Sequence, residues 1–219
     1  MTSELKSSDL RILFIGNSFT SRNNLPRLLT DLALAAPNPK KVHAHAIVAG
    51  GASLRRHWNA GTARTALETS RWDYVVLQEQ STLPIKNQAR YHENVRLFDA
   101  AIRKQGARAA LYLTWARQHA PETQGILTRA VEDIAGQVDA RVIPVGRAWE
   151  MAKIEKPDVE LFVADGSHPS AAGSYLAACV FYVSFFDEPP VGWAVAESLK
   201  LERATTAMLQ AVAWACRKT

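Results

Sequence analysis

Arg11-Ile12-Leu13-Phe14-Ile15-Gly16-Asn17-Ser18-Phe19-Thr20 runs a stretch of apolar, β-favouring residues straight into a turn that contains glycine. The run 11–15 has strand length, and Gly16 permits a sharp exit. Four similar runs follow at 42–48, 74–77, 109–113 and 141–145. Between them lie longer stretches with apolar residues at helical spacing, 25–36, 63–70, 91–105 and 123–137, each started or stopped by Gly, Pro, Asn or Ser. This alternation predicts an α/β fold with a five-stranded, mostly parallel sheet and helices on both faces, because a parallel connection needs a crossover long enough to return the chain. Beyond the fifth run, 170–186 reads as an apolar helix opened by Pro169. Pro189 and Pro190 then break the chain before a last amphipathic helix, with Leu201, Thr205, Met208, Val212 and Cys216 on its inner face.

At 219 residues the chain suits one domain over 1–219, with no linker and no internal repeat. Apolar residues make up 47% and charged residues 21%, a balance that excludes a disordered or fibrous chain. The net charge of +5 is spread along the sequence with no dense basic block, so no nucleic-acid partner is expected. Residues 1–10 are polar and charged, without the apolar stretch of a secretory signal, and no run reaches membrane-span length. The expectation is a cytoplasmic protein with no membrane partner. Cys179 and Cys216 sit in apolar, helix-like segments without a CxxC pair, which suggests buried thiols and neither a disulfide framework nor a zinc site. His43 and His45 alternate along one strand, and His57, His92 and His119 are dispersed, so none reads as a metal ligand. No metal or organic cofactor is expected, and nothing in the sequence sets an oligomeric state.

In an open α/β sheet, ligands bind beyond the carboxyl ends of the strands, so the residues just after each strand carry the functional signal. Ser18 stands at the exit of the first strand, where a nucleophile would be placed, although a lone serine there is as readily a cap or turn residue. A second signal is Ala164-Asp165-Gly166-Ser167-His168-Pro169-Ser170. A serine hydroxyl needs a neutral imidazole to take its proton, and the imidazole needs a carboxylate to fix its tautomer. Asp165 and His168 have the chemistry for both, but an isolated DxxH can equally be a turn with a surface histidine.

Taken together, Gly16-Asn17-Ser18-Phe19-Thr20 near the N-terminus and Asp165-Gly166-Ser167-His168-Pro169-Ser170 near the C-terminus resemble the first and fifth sequence blocks of the SGNH (GDSL-like) hydrolases. The resemblance spans nearly the whole chain and follows the family's order of nucleophile first, Asp and His last. It implies a three-layer α/β/α fold of flavodoxin-like type and ester hydrolysis through an acyl-enzyme, with Ser18, Asp165 and His168 as catalytic residues. It further implies an oxyanion hole built from the N–H of Ser18, a glycine of Ala49-Gly50-Gly51-Ala52, and a third donor. Gly51 is preferred over Gly50. The usual third block, GxND, supplies an asparagine; here the text is Leu77-Gln78-Glu79-Gln80-Ser81-Thr82, a divergent form. A glutamine amide offers the same N–H chemistry, with Gln78 the preferred donor and Gln80 the alternative on the same strand face. Glu79 has no neighbouring histidine and is set aside as a triad acid.

Asn17, Gln80, Trp115 and Arg117 are further candidates to face a substrate. Trp115 and Arg117 follow the fourth strand and could stack on a sugar or contact an acidic group, or could equally be loop packing. The expected partner is a small-molecule ester with a short acyl group, acetyl among them, on a polar or carbohydrate alcohol, because no long apolar lid segment is present. Two rival readings share these residues: an acyltransferase that hands the acyl group to a sugar hydroxyl, and an inactive carbohydrate-binding relative, which the missing GxND asparagine motivates.

Overall fold

In the computed structural model, residues 9–191 and 193–217 are described. Residues 1–8, most of the polar N-terminal segment expected to lack a secretory signal, lie outside them. Five strands form one sheet: β1 Leu10–Gly16, β2 Val42–Val48, β3 Tyr74–Leu77, β4 Arg108–Tyr112 and β5 Arg141–Ile143. Their order is β2-β1-β3-β4-β5, and all four pairings are parallel. The helices are α1 Ser18–Ser21, α2 Leu25–Ala35, α3 Leu54–Ala60, α4 Thr62–Thr69, α5 Leu83–Lys86, α6 Gln88–Lys104, α7 Gln124–Gln137, α8 Val145–Glu155, α9 Ala171–Phe186, α10 Trp193–Ser198 and α11 Arg203–Cys216.

Strand parity divides the core in two. Ile12, Phe14, Val76, Ala110, Tyr112 and Ile143 point to one face, where α2, α8, α9 and α11 cover them. Leu13, Ile15, Val75, Leu77, Ala109 and Leu111 point to the other, beneath side chains of α3, α4, α6 and α7. The result is the three-layer α/β/α arrangement expected. Helix α9 is apolar nearly all round because it lies between the sheet, α2 and α11, and each large side chain it removes from water contributes about 1.5–3 kcal/mol. Its N-terminus is capped by the Ser170 side chain, which accepts from Gly173 N. Both cysteines are buried, and the Cys216 thiol donates to Pro144 O.

The structure departs from the sequence expectation in several elements. The fifth strand stops at Ile143, and Val145, read as its last residue, instead opens α8. β-Branched residues around Pro144 mimic a strand, yet Val145, Ala148, Trp149 and Ala152 recur at helical spacing and bury one face. Helices α1, α3, α5 and α10 also lie outside the expected helical stretches; Ser53 starts α3 by accepting from Arg56 N. In α11 the buried face runs through Thr206, Leu209, Val212, Ala213 and Cys216, one residue round from the expected stripe, leaving Thr205 and Met208 at its margin.

Candidate active site

The carboxyl ends of β1, β2 and β3 converge because the strands are neighbours in register, Ile15 pairing with Ile47 on one side and Leu77 on the other. At the exit of β1, Asn17 caps α1 by accepting from Phe19 N, and its Nδ2 donates to Ala52 O, tying the β1 exit to the β2 exit. Asn17 is buried, so its side chain belongs to the framework and not to a substrate contact as expected. Ser18, the next residue, is only partly buried.

The Ser18 Oγ lies 2.8 Å from His168 Nε2, and His168 Nδ1 lies 2.6 Å from Asp165 Oδ2. Residues 150 positions apart in sequence are thus joined in one hydroxyl–imidazole–carboxylate relay. The other oxygen of Asp165 accepts from Ser167 N and His168 N, at 2.9 and 2.8 Å. These bonds, led by the His168 backbone N–H and then its ring, hold the Asp165 carboxyl down at about 2, below its ordinary 3.8. An ionised carboxylate facing Nδ1 selects the tautomer with the proton on Nδ1 and leaves Nε2 as an acceptor toward Ser18.

The loop that carries Asp165 and His168 is fixed from beneath. Trp115, a substrate-facing candidate by sequence, is buried, stacked 3.8 Å from Trp149 and 4.8 Å from Phe19. Its Nε1 donates to Ser167 O at 2.9 Å, while Gln118 N donates to Gly166 O at 2.8 Å. The indole face is consumed by this stack, so Trp115 positions the histidine loop and offers no face to a sugar. Phe19 also meets the His168 ring edge-on at 5.4 Å.

The third donor expected of Gln78 does not fit its surroundings. Gln78 has no exposed surface; its Oε1 accepts from Asn17 N and Thr20 Oγ1, and its Nε2 donates to Glu79 O. Gly16 makes this packing possible, since a Cβ there would lie 2.6 Å from Gln78 Oε1 and 2.7 Å from Thr20 Oγ1. Strand pairing ends at Leu77, so the parity argument that aligned Gln78 with Gln80 does not carry into the loop. Gln80 is part-exposed; its Oε1 accepts from Thr82 N and Oγ1, while its Nε2 has no partner among the described residues. The amide N–H available to a ligand therefore belongs to Gln80. The backbone N–H groups of Ser18, Gly50 and Gly51 likewise donate to no group among the described residues. Gly51 adopts φ +62° in open space, a conformation that turns the loop and suits glycine.

Glu79, set aside from sequence, is the residue that joins these loops. It is buried, and one oxygen accepts from Leu54 N at 3.0 Å and Gln80 N at 2.7 Å, while the other accepts from Asn94 Nδ2 at 2.9 Å. Burial pushes its carboxyl above the usual range against the pull of these donors. His57, also buried, holds the Gly16 carbonyl from Nε2 at 2.7 Å. Nothing in the local spacing marks Glu79 or His57, because their partners come from other elements. Arg117, part-buried, lies at the edge of the site beyond β4. Among the described residues no group of three or more His, Cys, Asp or Glu side chains converges as a metal site would, and no helix is long and apolar enough to cross a membrane.

No family model and no curated protein matches the chain. Among solved structures, a candidate SGNH hydrolase from Slackia heliotrinireducens is 30% identical, with a TM-score of 0.69 over 81% of this chain and 100% of that one. A DUF4886 family protein from Bacteroides uniformis is 20% identical, with a TM-score of 0.78 over 96% and 95% of the two chains. An acetyl xylan esterase, AlAXEase, is 13% identical, with a TM-score of 0.66 over 80% and 99%. The last two likenesses are of fold alone.

Proposed function

This chain belongs to the SGNH hydrolases, and from that premise we propose that it is a serine esterase that removes small acyl groups, acetyl among them, from a polar or carbohydrate alcohol. The observation that carries this reading is the relay of Ser18 Oγ, His168 and Asp165, with contacts of 2.8 and 2.6 Å. His168 Nε2 takes the proton of Ser18 as its oxygen attacks the ester carbonyl. Asp165 holds the ring by Nδ1 and stabilises the imidazolium that forms. The carbonyl oxygen, now negative, is met by the N–H groups of Ser18 and Gly51 and by the Gln80 amide; each such donor is worth roughly 10²–10³ in rate. His168 then protonates the leaving alcohol. Water, deprotonated by the same imidazole, attacks the acyl-Ser18 carbonyl, and collapse releases the acid and restores the hydroxyl.

The uncommitted N–H groups at Ser18, Gly51 and Gln80 support catalysis over the inactive binding reading, since Gln80 offers an amide donor where the GxND asparagine is missing. The acetyl preference rests on the lack of a long apolar lid segment in the sequence. The test is hydrolysis of 4-nitrophenyl acetate by the wild type beside Ser18→Ala, both checked by circular dichroism. Turnover that disappears only with Ser18 is expected; equal rates in the two folded proteins would overturn the reading. A strong preference for long-chain 4-nitrophenyl esters over acetate would overturn the acyl-size assignment alone.

A further inference from the structure

Beside the relay, between the exits of β3 and β4, lies a cavity of about 220 Å³ whose wall includes Ser81, Thr82, Lys86, Trp115, Arg117 and His119. Liquid water occupies about 30 Å³ per molecule, so this space holds a small group and not a whole substrate. No carboxylate lines it, and three of its lining residues carry basic side chains. None of Lys86, Arg117 and His119 forms an ion pair among the described residues. Arg117 Nε is cut off from solvent with no hydrogen-bond partner. Its terminal Nη1 and Nη2 groups also donate to nothing among the described residues but keep contact with solvent, so they are the guanidinium donors left for a ligand oxygen. Ser81 adds a hydroxyl group to the lining.

The cavity adjoins the site through two shared residues. Thr82 donates to Gln80 Oε1, and Trp115 stacks on Phe19, next to Ser18. Strands are spaced about 4.8 Å apart, so the exit of β4 lies two strand spacings, about 10 Å, from that of β1. From this geometry we infer that the cavity is a subsite for a carboxylate on the substrate, held by Arg117 with Lys86 and His119 at its rim, so that the enzyme selects acidic esters over neutral ones. The inference rests on the esterase reading for its catalytic consequence, but the subsite itself does not involve Ser18. An arginine fork matches a carboxylate with two parallel N–H bonds, which a lysine alone does not provide.

The carboxylate can sit on the acyl or on the alcohol side of the ester, and two probe series separate these. One is the set of mono-4-nitrophenyl esters of dicarboxylic acids from succinate to suberate; the other is the set of ω-acetoxy carboxylates of matching length. Each is compared with its methyl-capped neutral partner. In one series the charged ester should exceed its neutral partner in kcat/KM by roughly ten- to hundredfold, through KM. Arg117→Gln should bring that ratio close to one, and Lys86→Gln, at an exposed position, should lower it in part and leave the fold unaffected. Ratios near one in the wild type in both series, or a ratio unchanged in Arg117→Gln, would overturn the proposal. Calorimetry of monoethyl suberate against Ser18→Ala protein separates the two readings. Binding that Arg117→Gln abolishes upholds the subsite even where no ester is cleaved, and absence of binding together with ratios near one removes it.

Discussion

Replacing Asp165 by Asn changes one atom and should remove most of the activity, for a reason set by the hydrogen bonds around it. In the carboxylate, Oδ1 accepts from Ser167 N and His168 N, and Oδ2 accepts from His168 Nδ1. An amide has one oxygen, and keeping it against the two backbone N–H groups preserves two bonds at the expense of one. The amide NH₂ then faces His168 Nδ1, which must become an acceptor, so the ring proton moves to Nε2 and points at Ser18. The imidazole is then unable to take the Ser18 proton without leaving two donors opposed, an unfavourable arrangement of about 1–3 kcal/mol. The lost carboxylate also stabilised the imidazolium: about 4 kcal/mol at 4 Å for an effective dielectric of 20, reduced to about 2 because Asp165 is half exposed. The sum, about 4 kcal/mol, corresponds to a fall of roughly 10³ in kcat/KM. Asp165→Ala loses the ion but leaves the ring free to choose its tautomer, so it should be the faster of the two variants. The assay is 4-nitrophenyl acetate hydrolysis near neutral pH, with thermal melts to show that both variants fold like the wild type. Asn at this position retaining more than a tenth of wild-type kcat/KM would refute the argument.

Three further outcomes are expected. Gln80→Ala should lower kcat by roughly 10²-fold with little change in melting temperature, whereas Gln78→Ala should destabilise the fold by about 2–4 kcal/mol by stripping the acceptor from Asn17 N and Thr20 Oγ1; the reverse pattern in kinetics and urea melts would restore Gln78 as the donor. Glu79→Ala leaves Leu54 N, Gln80 N and Asn94 Nδ2 without their acceptor and should lose about 3–5 kcal/mol in urea melts, with Glu79→Gln intermediate because one oxygen still serves both backbone donors; an Ala variant as stable as the wild type would refute the staple. Because the Asp165 carboxyl is depressed from 3.8 to about 2, its stabilising contribution is present above 3.8 and is lost as pH falls through about 2; a carboxyl NMR titration should place its midpoint near 2, and a midpoint near 3.8 would contradict the bonding described.

What local sequence determined is the part of the molecule governed by nearest neighbours. Strand and helix periods along 11–137 specify a parallel sheet with helices on both faces, because a β-run and the turn beside it are encoded in adjacent residues. The same locality exposes Ser18 after β1 and the Asp165–His168 pair three residues apart, since both are short motifs at strand or helix boundaries. It fails where two elements compete for one stretch: Val145 looks like the end of a strand, and only burial of Ala148, Trp149 and Ala152 against the sheet makes it the start of α8. The division of labour between Gln78 and Gln80 was equally beyond the local text. Both are glutamines at a strand end, and what separates them is that Thr20 and Asn17 arrive from β1 to occupy the first, while nothing among the described residues occupies the Nε2 of the second. Trp115 became a prop because Phe19 and Trp149 close on its two faces, and Glu79 became a staple because Leu54 and Asn94 reach it from 25 and 15 residues away. Side-chain identity thus names the chemistry a residue can perform, while tertiary packing decides which of its polar atoms are already committed and which are left for a substrate.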